Sequence, residues 1–346
     1  MQPESGPTLL LTHRDTGKLL ERSRVRVEDD RVVYDTAAHG MTQTFNLPYA
    51  NIACLFLGQG SSISTDAMRR LAQESVIVVA SGTGGQPIFY GSLEAYRPND
   101  MARRAFRISE TPAASLRAAI RIMELRCGAL IDLAPSVAES LDASISERKL
   151  EKLVGKHLDR FRTCTSLDVL LGVEGNFSKS VYALFRDMAN APKFRRKAGA
   201  KGRDKSSNDD VEQAQIAHIN SRIDHGNYIA YGIAGSALWA CGVPPAFTLL
   251  HGKTRKGGLV FDLADSFKDA VVLPWAFCYS GEDQGARERL MQIVADTRLL
   301  ERAFRNLSSI LDAGDPASTQ ARPDTSEASH SELAHGPGHA ISDEVF

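Results

Sequence analysis

The sequence predicts an α+β protein, with a small β-rich N-terminal domain followed by a larger, mostly α-helical one. Three observations predict it. Short β-prone runs separated by turn residues fill 9–92. Pro98-Asn99-Asp100 then breaks the pattern. From 115 onwards apolar residues recur at three- and four-residue spacing, in segments too long for strands. The domains expected are 1–97, 98–311, and an acidic tail 312–346 whose Ser, Ala, Pro, Gly, Asp and Glu content reads as disordered.

Within the first region, Val25-Arg26-Val27 and Val32-Val33-Tyr34 flank Glu28-Asp29-Asp30-Arg31, the signature of a hairpin. Thr44–Leu47 and Ile52–Leu57 follow as strands. Ser64 is placed to cap a short helix over 67–73. Val76 to Val79 is an apolar run fit for a buried strand, and Ile88-Phe89-Tyr90 is a further strand. Gly82-Thr83-Gly84-Gly85 is a turn and no phosphate loop, since neither a lysine nor a helix follows it. Helices are expected over 115–130, 136–161, 166–190, 211–241 and 285–311. Between them 193–210, first basic and then polar, reads as a mobile loop. No internal repeat is visible.

At 346 residues the chain has room for two domains, each with its own core. Hydrophobic content of 43% with 24% charged residues is that of an ordinary soluble protein, which argues against a disordered or fibrous class. No apolar run approaches bilayer length, and the N-terminus has no basic region ahead of an apolar segment, so neither membrane span nor signal peptide is expected. Five scattered cysteines without a C-x-x-C pair point to reduced thiols, hence a cytoplasmic protein without a zinc or disulfide framework. The net charge of −1 hides an asymmetry. Positions 311–346 carry seven acidic residues against one arginine, net −6, which leaves the rest of the chain at +5. A mildly basic body is compatible with nucleic acid.

The stretch with most chemistry is Leu249 to Asp265, LLHGKTRKGGLVFDLAD. If a helix begins near Asp262, then Asp262 and Asp265 share one face. His251, delivered from the preceding loop, can converge on them. Such an N/O donor set suits Mg²⁺ or Mn²⁺, and Lys253, Arg255 and Lys256 beside it suit a phosphate. The plainer reading is that an aspartate caps a helix and the histidine is structural.

Glu174, entering an apolar segment, needs a partner; it either joins that site or lies exposed near a helix start. Asn220, Asp224, Asn227 or Tyr228, and Tyr231 fall along one helical stripe, either supporting a site or facing solvent. Lys193, Arg195, Arg196 and Lys197 belong to a basic loop that either follows a phosphate backbone or is merely solvated. Arg103, Arg104, Arg107, Arg117, Arg121 and Arg126 form a second basic group. Cys241 and Cys278 read as core.

Taken together, these stretches resemble the CRISPR-associated adaptation integrase (Cas-one) family. The resemblance runs through Leu47-Pro48, Ser64-Thr65-Asp66-Ala67, Val76 to Val79, Glu174-Gly175, Asp224-His225-Gly226-Asn227-Tyr228, Gly242-Val243-Pro244, His251-Gly252-Lys253-Thr254-Arg255 and Asp262-Leu263-Ala264-Asp265. It covers about 9–311, and the wording looks most like the type I-F branch.

The resemblance implies metal ligands at Glu174, His251 and Asp265, with Asp262 as an additional catalytic acid, and a Mg²⁺ or Mn²⁺ cofactor. It also implies DNA as substrate, both captured prespacer and CRISPR repeat. The β-rich domain would pair homodimers around a small ferredoxin-like subunit fused to the helicase-nuclease. The implied reaction joins a DNA 3′-hydroxyl to a phosphodiester. Phosphoryl transfer of this kind needs no nucleophilic side chain. Two features fit less well, the acidic tail and the near-neutral net charge. The alternatives are a metal-dependent nuclease or transposase-like enzyme outside CRISPR, and a non-catalytic DNA-binding scaffold.

Overall fold

The computed structural model describes residues 14–38, 41–81, 87–90, 99–197, 210–251, 257–281 and 283–315. Among these residues eight strands come first: β1 (Asp15–Leu20), β2 (Ser23–Glu28), β3 (Arg31–Ala38), β4 (Met41–Asn46), β5 (Ile52–Leu57), β6 (Ser62–Ile63), β7 (Ile77–Ser81) and β8 (Pro87–Tyr90). They form two four-stranded sheets, ordered β1-β5-β7-β8 and β4-β3-β2-β6. The expected hairpin is β2–β3, with Glu28 opposite Arg31. Asp29 and Asp30 turn the chain with φ of 46° and 64°, the left-handed pair that suits the twist of a two-residue loop. Helix α1 (Thr65–Gln73) starts where expected, and the Ser64 hydroxyl accepts from the Ala67 amide at 3.2 Å. Strand β1 was not anticipated.

The helical region follows as α2 (Asp100–Glu110), α3 (Pro112–Glu139), α4 (Glu147–Arg162), α5 (Leu167–Met188), α6 (Asp210–Ala240), α7 (Gly258–Asp265), α8 (Lys268–Cys278), α9 (Asp283–Asp296) and α10 (Leu299–Gly314). Three differences from the sequence reading have local causes. Helix α3 passes through Pro135 instead of starting anew at 136, and the break falls at 140–146, around Asp142 with φ 56°. The expected helix 285–311 is two, separated at Arg298 with φ 49°. Helices α2 and α8 were not anticipated. The domain junction at 91–98, the turn 82–86 and the tail from 316 lie outside the described residues.

Two cores are present among the described residues, the smaller lying wholly in the N-terminal region, and the sheet contributes to both. Ala53, Cys54, Phe56, Ile77 and Val79 of the sheet join the main core with the helices. The other face of the same strands packs with Leu20, Val25 and Leu71 in a smaller core. Strand β5 is therefore buried on both faces. Helix α6 lies against this sheet so closely that a methyl group at Gly232 would overlap the Phe56 ring, and one at Gly235 the Phe89 ring. Tyr228 seals the contact by donating to the carbonyls of Val79 at 2.8 Å and Leu57 at 3.3 Å.

Most of the second basic group is engaged within the fold. Arg104 pairs with Asp312 and Asp315. Arg117 donates to the carbonyls of Ala313 and Gly314, which capping at the end of α10 requires. Arg121 pairs with Glu124, and Arg126 is buried.

Candidate active site

Gly257 turns the chain with φ 68°, a conformation cheap only for glycine, and α7 begins one residue later. The helix thus starts a full turn before Asp262, so that aspartate is no cap. Its eight residues are all buried, the apolar ones within the main core. Asp262 and Asp265 share a face, and each reaches the segment ahead of the helix or the one behind it.

Asp262 is fully buried, and a buried carboxylate needs donors. Its Oδ2 accepts from the amides of Leu249 at 2.7 Å and Leu250 at 3.0 Å. Its Oδ1 accepts from the His251 amide at 3.3 Å and lies 2.6 Å from His251 Nδ1. The carboxylate therefore folds 249–251 around itself and fixes the imidazole. The neutral tautomer that makes this bond carries its proton on Nδ1 and its lone pair on Nε2. Nε2 faces Asp265 Oδ2 at 3.7 Å. The other oxygen of Asp265 pairs with the ammonium of Lys268, at the start of α8.

Glu174 reaches the site through an arginine. It projects from α5, whose N-terminus is capped by Ser166. Its Oε1 accepts from Arg126 Nη1 at 2.8 Å and from the Ser178 hydroxyl at 2.7 Å. Arg126 lies over the Phe177 ring and also holds Asp269 of α8, with Nε to Oδ2 at 2.8 Å. Burial pushes the Glu174 and Asp269 carboxyls up, but the Arg126 guanidinium outweighs it and leaves both below their usual range. The Lys268 charge acts on both in the same direction.

The cluster formally holds four carboxylates (Glu174, Asp262, Asp265, Asp269) against two fixed cations, Arg126 and Lys268, with His251 between them. Imidazole and carboxylate groups are the donor types that Mg²⁺ or Mn²⁺ takes. The structure brings His251, Asp262 and Asp265 together. It ties Glu174 to Arg126, within the field of the lysine that Asp265 holds. Among the described residues no group of three or more His, Cys, Asp and Glu side chains is gathered closely enough to hold an ion.

The remaining expected residues fall elsewhere. Lys253, Arg255 and Lys256 lie outside the described residues. Of the basic loop, 198–209 lies outside them too, while 193–197 is firmly held. Phe194 is buried against Tyr182 and Phe277. The Asn220 side chain accepts from the Lys197 amide at 2.8 Å and donates to the Arg195 carbonyl at 3.0 Å. Arg196 pairs with Asp224, while Lys193, Arg195 and Lys197 are exposed. Asn220 and Asp224 thus hold the basic segment. Asn227 is half-buried, and Tyr228 binds the sheet; the latter's expected support of the site is corrected to a role in docking the sheet on α6.

Sequence reasoning missed Arg126, Ser178, Lys268 and Asp269. The spacing Asp265 to Lys268 was a readable i,i+3 signal. Arg126 had none beyond a charge inside the apolar helix 118–130. Cys241 and Cys278 are half-buried, and burial pushes both thiols up to about 11.

The family described as "CRISPR associated protein Cas1" matches residues 19–288 of this sequence. The chain belongs to the Cas1 family. Two relatives named CRISPR-associated endonuclease Cas1 match over most of both chains. The one from Pectobacterium atrosepticum is 29% identical, covering 89% of this chain and 95% of the relative. The one from Pseudomonas aeruginosa is 30% identical, covering 90% and 97%. Among solved structures, a Cas1 protein from Thermotoga maritima superposes with a TM-score of 0.64 at 14% identity, covering 90% of this chain and all of that one. TtCas1 in complex with DNA superposes with a TM-score of 0.61 at 21% identity, covering 89% and 94%. The fold, β-rich and then helical, is the Cas1 fold. Among the described residues no helix is long and apolar enough to cross a membrane.

Proposed function

We propose that this chain is a metal-dependent DNA integrase and endonuclease of CRISPR spacer acquisition, which joins the 3′-hydroxyl of captured DNA to the repeat by phosphoryl transfer. The observation that carries it is the fixed His251, backed by Asp262 and facing Asp265 in a cluster with excess carboxylate charge. His251, Asp265 and Glu174 would hold the cation. Asp262 orients the imidazole, and Arg126 orients Glu174. When bound, Mg²⁺ or Mn²⁺ supplies charge neutralisation on the phosphoryl oxygens and alignment of the attacking hydroxyl.

Lys193, Arg195 and Lys197 offer exposed charge for a phosphate backbone, and Arg196 joins them once it leaves Asp224. Lys253, Arg255 and Lys256 would do the same beside the site. The relatives' name and the DNA-bound neighbour support a DNA substrate. The motif wording supports the type I-F branch, with a homodimeric assembly around a ferredoxin-like subunit fused to the helicase-nuclease in the cytoplasm.

The test is transfer of a short labelled duplex into a supercoiled plasmid carrying a repeat, with Mn²⁺ or Mg²⁺ and the partner subunit. Metal-dependent joining that is lost in His251→Ala and Asp265→Ala supports the reading. Joining that survives both substitutions overturns the site. DNA binding without joining by the wild type points to the scaffold instead.

A further inference from the structure

Helix α4 carries a row of charge that nothing in the fold answers. Its inner face, Leu150, Val154, His157 and Phe161, is buried. His157 and Phe161 pack on the Phe177 ring, with centroids 5.2 and 5.5 Å away. On the outer face Lys149, Lys152, Lys156 and Arg160 are all exposed. Steps of three and four residues set them along one stripe, about 16 Å long at the α-helical rise. The helix holds six cations against three acids, yet none of the four makes an ion pair among the described residues. Arg162, just off the stripe, turns instead to Glu124 of α3. Like charges four residues apart repel, so Lys152 with Lys156, and Lys156 with Arg160, weaken the helix that bears them. A row that costs its helix stability and meets no carboxylate is shaped for an anion outside the chain.

We propose that Lys149, Lys152, Lys156 and Arg160 form a track for the phosphate backbone of duplex DNA, outside the reacting site. Over the length of the row one strand of B-DNA presents about five phosphates, enough to face four cations on one uninterrupted helix. The row is also tied to the site. Phe177, on which α4 rests, lies beneath the Arg126 guanidinium, and Arg126 holds Glu174 at 2.8 Å. A duplex gripped on α4 is thereby held, through packed side chains, at a set distance from the site. Contacts of this kind position DNA without reading its sequence. The inference rests on the DNA-acting reading of the site. It adds a positioning surface apart from the 193–197 and 253–256 segments.

The test is binding of the full-length protein, without metal, to a short labelled duplex of arbitrary sequence over a range of salt concentrations. Lys149→Gln, Lys152→Gln, Lys156→Gln and Arg160→Gln combined should flatten the dependence of log K on log salt by about 3–4, and Lys152→Gln alone by about 0.9. Lys149→Arg, Lys152→Arg, Lys156→Arg and Arg160→Lys combined keep the charge and should keep the slope. In chemical acetylation read by mass spectrometry, Lys149, Lys152 and Lys156 should lose reactivity when the duplex is bound. The glutamine variant should melt no lower than wild type, because the repulsion along α4 is gone.

If wild type binds the duplex and the glutamine variant keeps the same slope, the row is merely solvated; the proposal falls and the DNA-acting reading stands. If wild type binds no duplex, both fall together. Lysines that acetylate equally with and without duplex overturn the proposal too, since charge acting only from a distance would leave them open. A glutamine variant that binds DNA normally but no longer associates with the partner subunit assigns the row to an acidic protein face and overturns the track. A lower melting temperature in that variant would give the charges a role in the fold and likewise overturn it.

Discussion

The guanidinium of Arg126 donates to Glu174 Oε1 at 2.8 Å across 48 residues of sequence, and one edge of the same group holds Asp269. Three helices, α3, α5 and α8, thereby meet at one buried charge. Removing it leaves two carboxylates without their partner in a dry site, at a cost of about 3–5 kcal/mol. Arg126→Met is expected to lose that much stability by urea unfolding, and Asp269→Asn in the same chain to restore part of it. Arg126→Lys keeps the charge but cannot bridge two carboxylates. It should unfold later than the methionine variant yet still lose strand transfer. Strand transfer at the wild-type rate in Arg126→Lys would show that Glu174 needs no such aim.

Asp262 offers only acceptors to four donors. In Asp262→Asn the new amide N–H₂ must face either the 249–250 amides or His251 Nδ1, donor against donor. The expected loss is about 1–3 kcal/mol of stability. Misorienting the imidazole should cost about 10–100-fold in metal affinity. Mn²⁺ titration beside thermal melting checks both, and an unchanged affinity would remove Asp262 from the site's support.

Acid should weaken the fold through His225 before it reaches the carboxylates. Burial, with the charge of Arg287 second, pushes its imidazole down from 6.5 to about 3. The unfolded chain takes up a proton near pH 6.5 and the folded one does not. Stability is therefore full above pH 6.5 and declines as pH falls towards 3, by about 2 kcal/mol at pH 5. Glu174 and Asp269, whose carboxyls are depressed, contribute stability that is lost mainly below the unfolded carboxylate range. His225→Leu should flatten the change between pH 7 and pH 5 whatever it does at pH 7. Equal acid sensitivity in the two proteins would exclude this histidine as the cause.

Arg196 pairs with Asp224. Asp224→Asn weakens that pairing and is expected to tighten binding to a non-specific duplex severalfold. It should also steepen the dependence of log K on log salt by about 0.9, one additional phosphate contact. Arg196→Ala should abolish the gain when combined with it. A salt slope identical in wild type and Asp224→Asn would exclude Arg196 as a phosphate contact.

What the sequence revealed was local. The Asp29-Asp30 turn, the Ser64 cap and the shared face of Asp262 and Asp265 depend on residues a few positions apart, and spacing alone displays them. The start of α7 was misplaced because Asp262 looks like a cap, while its real partners are amides 11–13 residues upstream. Arg126 was read only as one of a basic group because nothing in its neighbours reveals Glu174 and Asp269, which arrive from distant helices. Tyr228 sits on a polar stripe by periodicity, yet tertiary packing aims it at the sheet. Charge inside an apolar helix was the signal available, and it says that a partner exists without saying where.

The two glycines of α6 that receive Phe56 and Phe89 carry a consequence for biogenesis. A helical half without the sheet would present bare notches and an open core where those rings belong. Emerging first from the ribosome, the sheet acts as the mould, and the later helices have a finished surface on which to set. A separately expressed helical fragment should therefore be sticky and poorly ordered, and the intact chain should melt in one step instead of two.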